Sequence, residues 1–147
     1  MKEQFKSINI LWLALLAGQL IFFLVTYFLV PGTGNESMEI FQTIVPVVML
    51  GALGGVYLIS RRRTVEGAAL DSLEEKVNHY RATIIIRSAL LEGANLLAIV
   101  AMLIDQPGPY LLYFAVGIAA FLYFRPVINR FVQDYQVSEQ EAQELRA

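Results

Sequence analysis

From Ile8 to Val30 the chain carries no charged side chain. At a helical rise of about 1.5 Å per residue this run reaches about 34 Å, enough to cross a hydrocarbon core of about 30 Å. A small soluble domain lacks the interior to cover a helix that is apolar on every side. Lys2 and Lys6 precede the run, as they would in a secretory leader. The run is too long for a leader's apolar region, however, and Pro31-Gly32-Thr33-Gly34 is a poor small-residue cleavage site, so it reads as a retained span. Composition agrees. Hydrophobic residues make up 56% and charged residues 16% of the 147 residues, against about 45–50% and about 25% in soluble domains.

Three further runs follow. The second extends from Ile40 to Ser60, with Pro46 inside it and Gly51, Gly54 and Gly55 beyond. The third runs from Ala82 to Ile104 and is interrupted by Arg87, Glu92 and Asn95. The fourth starts at Pro109, a good first-turn residue, and reaches Phe124, with Tyr110, Tyr113 and Tyr123 placed as an aromatic belt. The expected fold is therefore an all-α integral membrane protein, one domain over 1–147, with spans at about 8–30, 40–60, 82–104 and 109–124.

Every Lys and Arg falls in one of three places. Lys2 and Lys6 lie in the N-terminal segment; Arg61, Arg62, Arg63, Lys76, Arg81 and Arg87 in and just after the 61–81 loop; Arg125, Arg130 and Arg146 in the 125–147 tail. The short connections around Asn35 and Gln106 have none. The positive-inside rule puts both termini and the central loop in the cytoplasm. The Arg61-Arg62-Arg63 cluster reads as a topogenic stop and also suits anionic lipid. Within the loop, Leu70, Leu73, Val77 and Tyr80 recur at spacings of three and four, predicting an amphipathic helix over Val65–Arg81 that lies at the interface or extends the third span. In the tail, Ser138 and Glu141 form a capping-box pattern that predicts a short helix through Leu145.

Ala14-Leu15-Leu16-Ala17-Gly18 in the first span matches Ala89-Leu90-Leu91-Glu92-Gly93 in the third, and Tyr57-Leu58-Ile59-Ser60-Arg61 loosely matches Phe121-Leu122-Tyr123-Phe124-Arg125. Either Leu- and Ala-rich segments resemble one another here by coincidence, or the chain is two tandem helical hairpins related about an axis along the membrane normal, with spans one and three in equivalent central places; the second is the expectation. Ala14 with Gly18, Ala89 with Gly93 and Gly51 with Gly55 have the small-xxx-small spacing that lets helices approach closely.

Glu92 lies about 15 Å along the third span, near mid-bilayer, where an acid costs about 2.5–3.5 kcal/mol on insertion scales. Ser88, Glu92 and Asn95 share a helix face, which Arg81 continues toward the loop, and Gln19 matches them in depth. Two readings fit: an interhelical polar clamp, or a proton or cation site. Arg87 projects about 140° away from Glu92 and is expected to snorkel to the headgroups. His79 reads as a solvated boundary residue, and Asp105 as the cap of an external turn. No cysteine and one histidine are present, so thiol chemistry and His-rich metal sites are excluded. No nucleophile–base pair or phosphate-binding glycine loop is legible.

Tyr80-Arg81, Ala89-Leu90-Leu91-Glu92-Gly93 and Arg125-Pro126 resemble features of a group of small four-span bacterial membrane proteins with no assigned function, some of them labelled transporters. That resemblance covers nearly the whole chain and implies the inner membrane but no particular activity. The third span is also similar to the carboxylate helix of rotary ATPase c-subunits, which carries over Glu92 alone as an ion-site candidate. The first hairpin departs from that pattern with Ala17 at the matching place, no glycine-rich packing helix and a longer loop. The expectation is a non-catalytic multi-pass component or subunit, the alternative a proton- or cation-coupled transporter using Glu92. Expected partners are the bilayer and either further copies of the chain or a larger membrane complex. No nucleic acid, cofactor or metal is expected.

Overall fold

The computed structural model describes residues 1–29, 39–105 and 108–147, and the chain there is all helix and turn. The connections at Pro31-Gly32-Thr33-Gly34 and Asn35 and at Gln106 lie outside the described residues. The helices are α1 (Lys2–Leu29), α2 (Glu39–Ala68), α3 (Leu73–Ile104), α4 (Gly108–Tyr123), α5 (Ile128–Asp134) and α6 (Glu139–Arg146). Three of them, α1 to α3, are long and apolar enough to cross a membrane. There are four if α4, with its 16 residues, is counted with α5, from which it is bent by 72°. Pro126 accounts for that bend, since proline disfavours helical geometry at the preceding Arg125 and has no N–H to donate.

The bundle is arranged around α3, which packs against α1, α2 and α4; α1 and α2 make no substantial contact with each other. The first pair is therefore not a packed hairpin. The first and third spans are not equivalent either: half of the most apolar stretch of α3 is buried, against 17% in α1. Outward faces are strongly apolar, with Ile21, Phe28, Leu29, Val47, Leu50, Leu58, Leu112 and Leu122 all exposed. Polar Gln19 and Asn95 lie wholly inside. Apolar outside and polar inside is the distribution that a bilayer accommodates.

The amphipathic stretch over Val65–Arg81 is not one helix, and of its two expected placements, at the interface or extending the third span, the part from Leu73 on takes the second. The chain turns over 69–72, so the first part of that stretch prolongs α2 and the rest opens α3. The turn is set by a capping box: Ser72 Oγ accepts from the Glu75 backbone N–H at 3.2 Å while Glu75 accepts from the Ser72 N–H at 3.3 Å. The second capping box, at Ser138 and Glu141, forms as expected and opens α6. Its Leu145 and Ala142 join Phe5 and Ile8 of α1, Val77, Tyr80 and Ile84 of α3, and Phe131 and Tyr135 of the tail in one core at the basic end of the bundle. α5 was not legible beforehand. It ends at Tyr135 with Gln136 in the left-handed region (φ 50°), and the Val137 N–H closes back on the Val132 carbonyl at 3.0 Å.

Candidate functional site

Gln19 and Asn95 meet in the middle of the bundle. Asn95 Nδ2 donates to Gln19 Oε1 at 2.6 Å, and both side chains are 0% exposed. Gln19 Nε2 donates within its own helix to the Leu15 carbonyl at 3.3 Å. Asn95 Oδ1 has no hydrogen-bond partner. It is pressed against Gly117 of α4, where a β-carbon would overlap it and would also stand 3.0 Å from Met49 Cε. Four helices thus converge on one carboxamide, and only glycine fits opposite it. Gly117 was not singled out from sequence; a lone glycine between Val116 and Ile118, at mid-depth in a bulky span, was the available signal.

The clamp does not include all its expected members. Ser88 is buried on the same face of α3. Glu92 is only half-buried, at the edge of that face, and takes no part in the Gln19–Asn95 bond. The outward face beside it is formed by Ile85, Ile86, Ala89, Leu90 and Gly93.

The expected packing residues are also placed differently. Ala14, Gly18, Ala89, Gly93 and Gly51 are exposed, and nothing lies within 4 Å of a β-carbon built at Gly18, Gly51 or Gly93. Only Gly55 meets a neighbour, Leu90 Cδ1 at 3.8 Å. Bulk on α1 explains this. Trp12 stacks on Phe121 (5.4 Å between centroids) and Phe23 on Phe114 (4.5 Å), so α1 presents aromatic rings to the bundle and turns its small residues away. Close packing instead uses Ala94, Ala98 and Ala101 on α3 with Ala52 on α2. Ala94 and Ala98 have the same small-xxx-small spacing, hidden by the neighbouring leucines.

A second polar cluster ties α2 to α3 and the tail at the basic end. Arg63 Nε donates to Thr83 Oγ1 at 2.7 Å, Thr83 Oγ1 donates to the His79 carbonyl at 2.9 Å, and His79 Nδ1 shares a 2.9 Å bond with the Tyr135 hydroxyl. Glu66 pairs with His79 Nε2 at 3.6 Å and with the exposed Arg62 at 3.4 Å. His79 is thus a connected, largely buried group and not a solvated one. The expectation for Arg87 is likewise corrected. It is 8% exposed, donates to Ser60 Oγ at 3.3 Å and sits 5.3 Å over the Phe124 ring, two partners that hold it inside the protein. Asp105 caps α3 and accepts from the Tyr110 hydroxyl at 2.6 Å. Among the described residues no group of three or more His, Cys, Asp or Glu side chains could hold a metal ion.

The fold and site thus define an all-helical protein with three to four helices long and apolar enough to cross a membrane. No protein family, curated protein or solved structure matches the chain.

Proposed function

We infer that the chain is a non-catalytic component of a membrane assembly. In this reading four apolar segments lie in a bacterial inner membrane, with both termini and the 61–81 connection on the cytoplasmic side. One observation carries it: Ala14, Gly18, Gly51, Ala89 and Gly93 face outward while the bundle packs through other residues. Membrane helices associate through close van der Waals packing at small side chains, because lipid tails give no hydrophobic drive for association. Outward small residues on three helices therefore suit helices contributed by a neighbour, whether a further copy or another subunit. The one-sided basic residues support the orientation.

The chain has no cysteine, so single substitutions Gly18→Cys, Gly51→Cys and Gly93→Cys report neighbours directly. Oxidative cross-linking in native membranes is expected to trap a larger species at one or more of these positions. A chain that cross-links at none of them and runs as a monomer in mild detergent overturns the reading.

A proton- or cation-coupled transporter is the second reading, favoured by the position of Glu92 outside the hydrogen-bonded clamp. A carboxyl group not held by that bond is free to exchange a proton or bind a cation within the membrane.

A further inference from the structure

At the basic end of the bundle a cavity of about 540 Å³ opens between the end of α2, the middle of α3, the end of α4 and α5. Three guanidinium groups line it: Arg61, Arg87 and Arg130. Each lies near an aromatic ring, Arg61 5.8 Å over Tyr57, Arg87 5.3 Å over Phe124 and Arg130 5.0 Å over Tyr123. Among the described residues the ion pairs are Arg62–Glu66 and His79–Glu66, so none of the three is paired with a carboxylate. Asp134 is the one acid in the lining, leaving it net positive. The Arg87 guanidinium donates from one end to Ser60 and otherwise faces the buried Tyr80 hydroxyl, with no carboxylate beside it. A buried cation without a carboxylate beside it is costly unless a ligand offsets its charge. Thr64 and Gln133 add neutral polar groups to the wall.

The geometry points to a binding site for a phosphate oxyanion, held by the Arg61, Arg87 and Arg130 guanidinium groups in the cavity between α2, α3, α4 and α5. Guanidinium forks match phosphate oxygens in shape and charge, and basic pockets between membrane helices take anionic lipid headgroups. Two sources share this chemistry: the phosphodiester of an anionic phospholipid, whose chains would lie along the apolar helix faces, and a soluble phosphate. The proposal stands apart from the assembly reading, because every residue it uses belongs to one copy of the chain.

The test is the thermal midpoint of the full chain in nonionic detergent, titrated separately with short-chain phosphatidylglycerol, short-chain phosphatidylcholine and inorganic phosphate. Phosphatidylglycerol is expected to raise the midpoint saturably and phosphatidylcholine to leave it unchanged. Arg61→Gln with Arg130→Gln should weaken the phosphatidylglycerol effect by about tenfold or more, while Arg62→Gln, outside the cavity, should not. This pair avoids Arg87, whose loss could unfold the bundle. If inorganic phosphate acts as strongly as phosphatidylglycerol with the same arginine dependence, the site stands and its ligand is soluble. Equal effects of the two lipids, no effect of lipid or phosphate, or a double variant that responds like the parent each overturn it.

Discussion

Gly117 of α4 lies directly against the Asn95 carboxamide of α3, on the side opposite the bond from Asn95 to Gln19. The glycine is therefore part of the clamp even though it donates and accepts nothing there. With α4 at this distance there is room for the carboxamide in the orientation that meets Gln19, and none for a β-carbon opposite it.

Gly117→Ala is expected to drive Asn95 out of register and break its bond to Gln19. The cost is that of overpacking plus a lost interhelical bond, about 1–3 kcal/mol. Thermal unfolding in detergent reads it. The steric account also predicts that the same substitution costs much less in an Asn95→Ala background, where only the flexible end of Met49, 3.0 Å away, remains close. Equal cost in both backgrounds would show that Gly117 acts through something else.

Gly67, near the end of α2, offers a parallel case at the basic end. A β-carbon there would run into the ring of Tyr135, whose hydroxyl is bonded to His79 Nδ1 at 2.9 Å. Gly67→Ala should push the ring aside, lose that bond and loosen the tail from α3, at about 1–3 kcal/mol. Hydrogen exchange is the informative measurement, with α5 and α6 amides expected to exchange faster while those of α4 keep their protection.

These two glycines show where sequence reading stopped. The long apolar runs, the basic residues and the capping-box pattern at Ser138 and Glu141 were legible, because each depends on local chemistry that needs no partner. Gln19 and Asn95 were legible as members of a polar clamp around Glu92, whereas in the structure they bond each other and leave Glu92 out. Which small residues pack inward was not legible. Ala14-x-x-x-Gly18 and Ala94-x-x-x-Ala98 have the same spacing, and the choice between them rests on Trp12 and Phe23 claiming the inner face of α1. The periodic leucines continue through 69–72 and hide the turn there, although Ser72 and Glu75 mark the start of α3. Arg87 and His79 were misplaced for a related reason: their partners Ser60, Phe124 and Tyr135 lie on other elements.

Glu141 links the stability of α6 to pH. Its carboxylate accepts from Ser138 Oγ at 2.7 Å and from the Ser138 N–H at 3.1 Å, and these bonds hold it below the ordinary value of 4.5. A carboxyl whose folded-state pKa is depressed contributes stability that is complete above the unfolded value and lost as pH falls through the folded one. The tail helix should therefore be unaffected at neutral pH and weaken on acidification below 4.5. Exchange of the Ala142 and Ala147 amides, followed from about pH 6 to about pH 3 after correction for intrinsic rates, is expected to show this loss of protection. Ser138→Ala should remove about 1 kcal/mol from the helix at neutral pH and flatten the acid dependence.

Glu92 gives the sharpest division between the component and transporter readings. The Gln19–Asn95 bond excludes it, so Glu92→Gln removes a titratable carboxyl and leaves that clamp intact. Stability is expected to change by no more than about 0.5 kcal/mol, as for substitutions away from buried networks. A non-catalytic component should also keep its cross-linking pattern and its co-purifying partners in the variant, because an amide of the same shape still donates and accepts hydrogen bonds. A transporter that depends on the carboxyl should instead lose proton- or cation-linked flux in proteoliposomes while staying folded. Measuring flux and assembly on the same preparation separates the two: unchanged assembly with no flux in either protein is the expected result, and parental flux abolished by the amide would replace the component reading with the second.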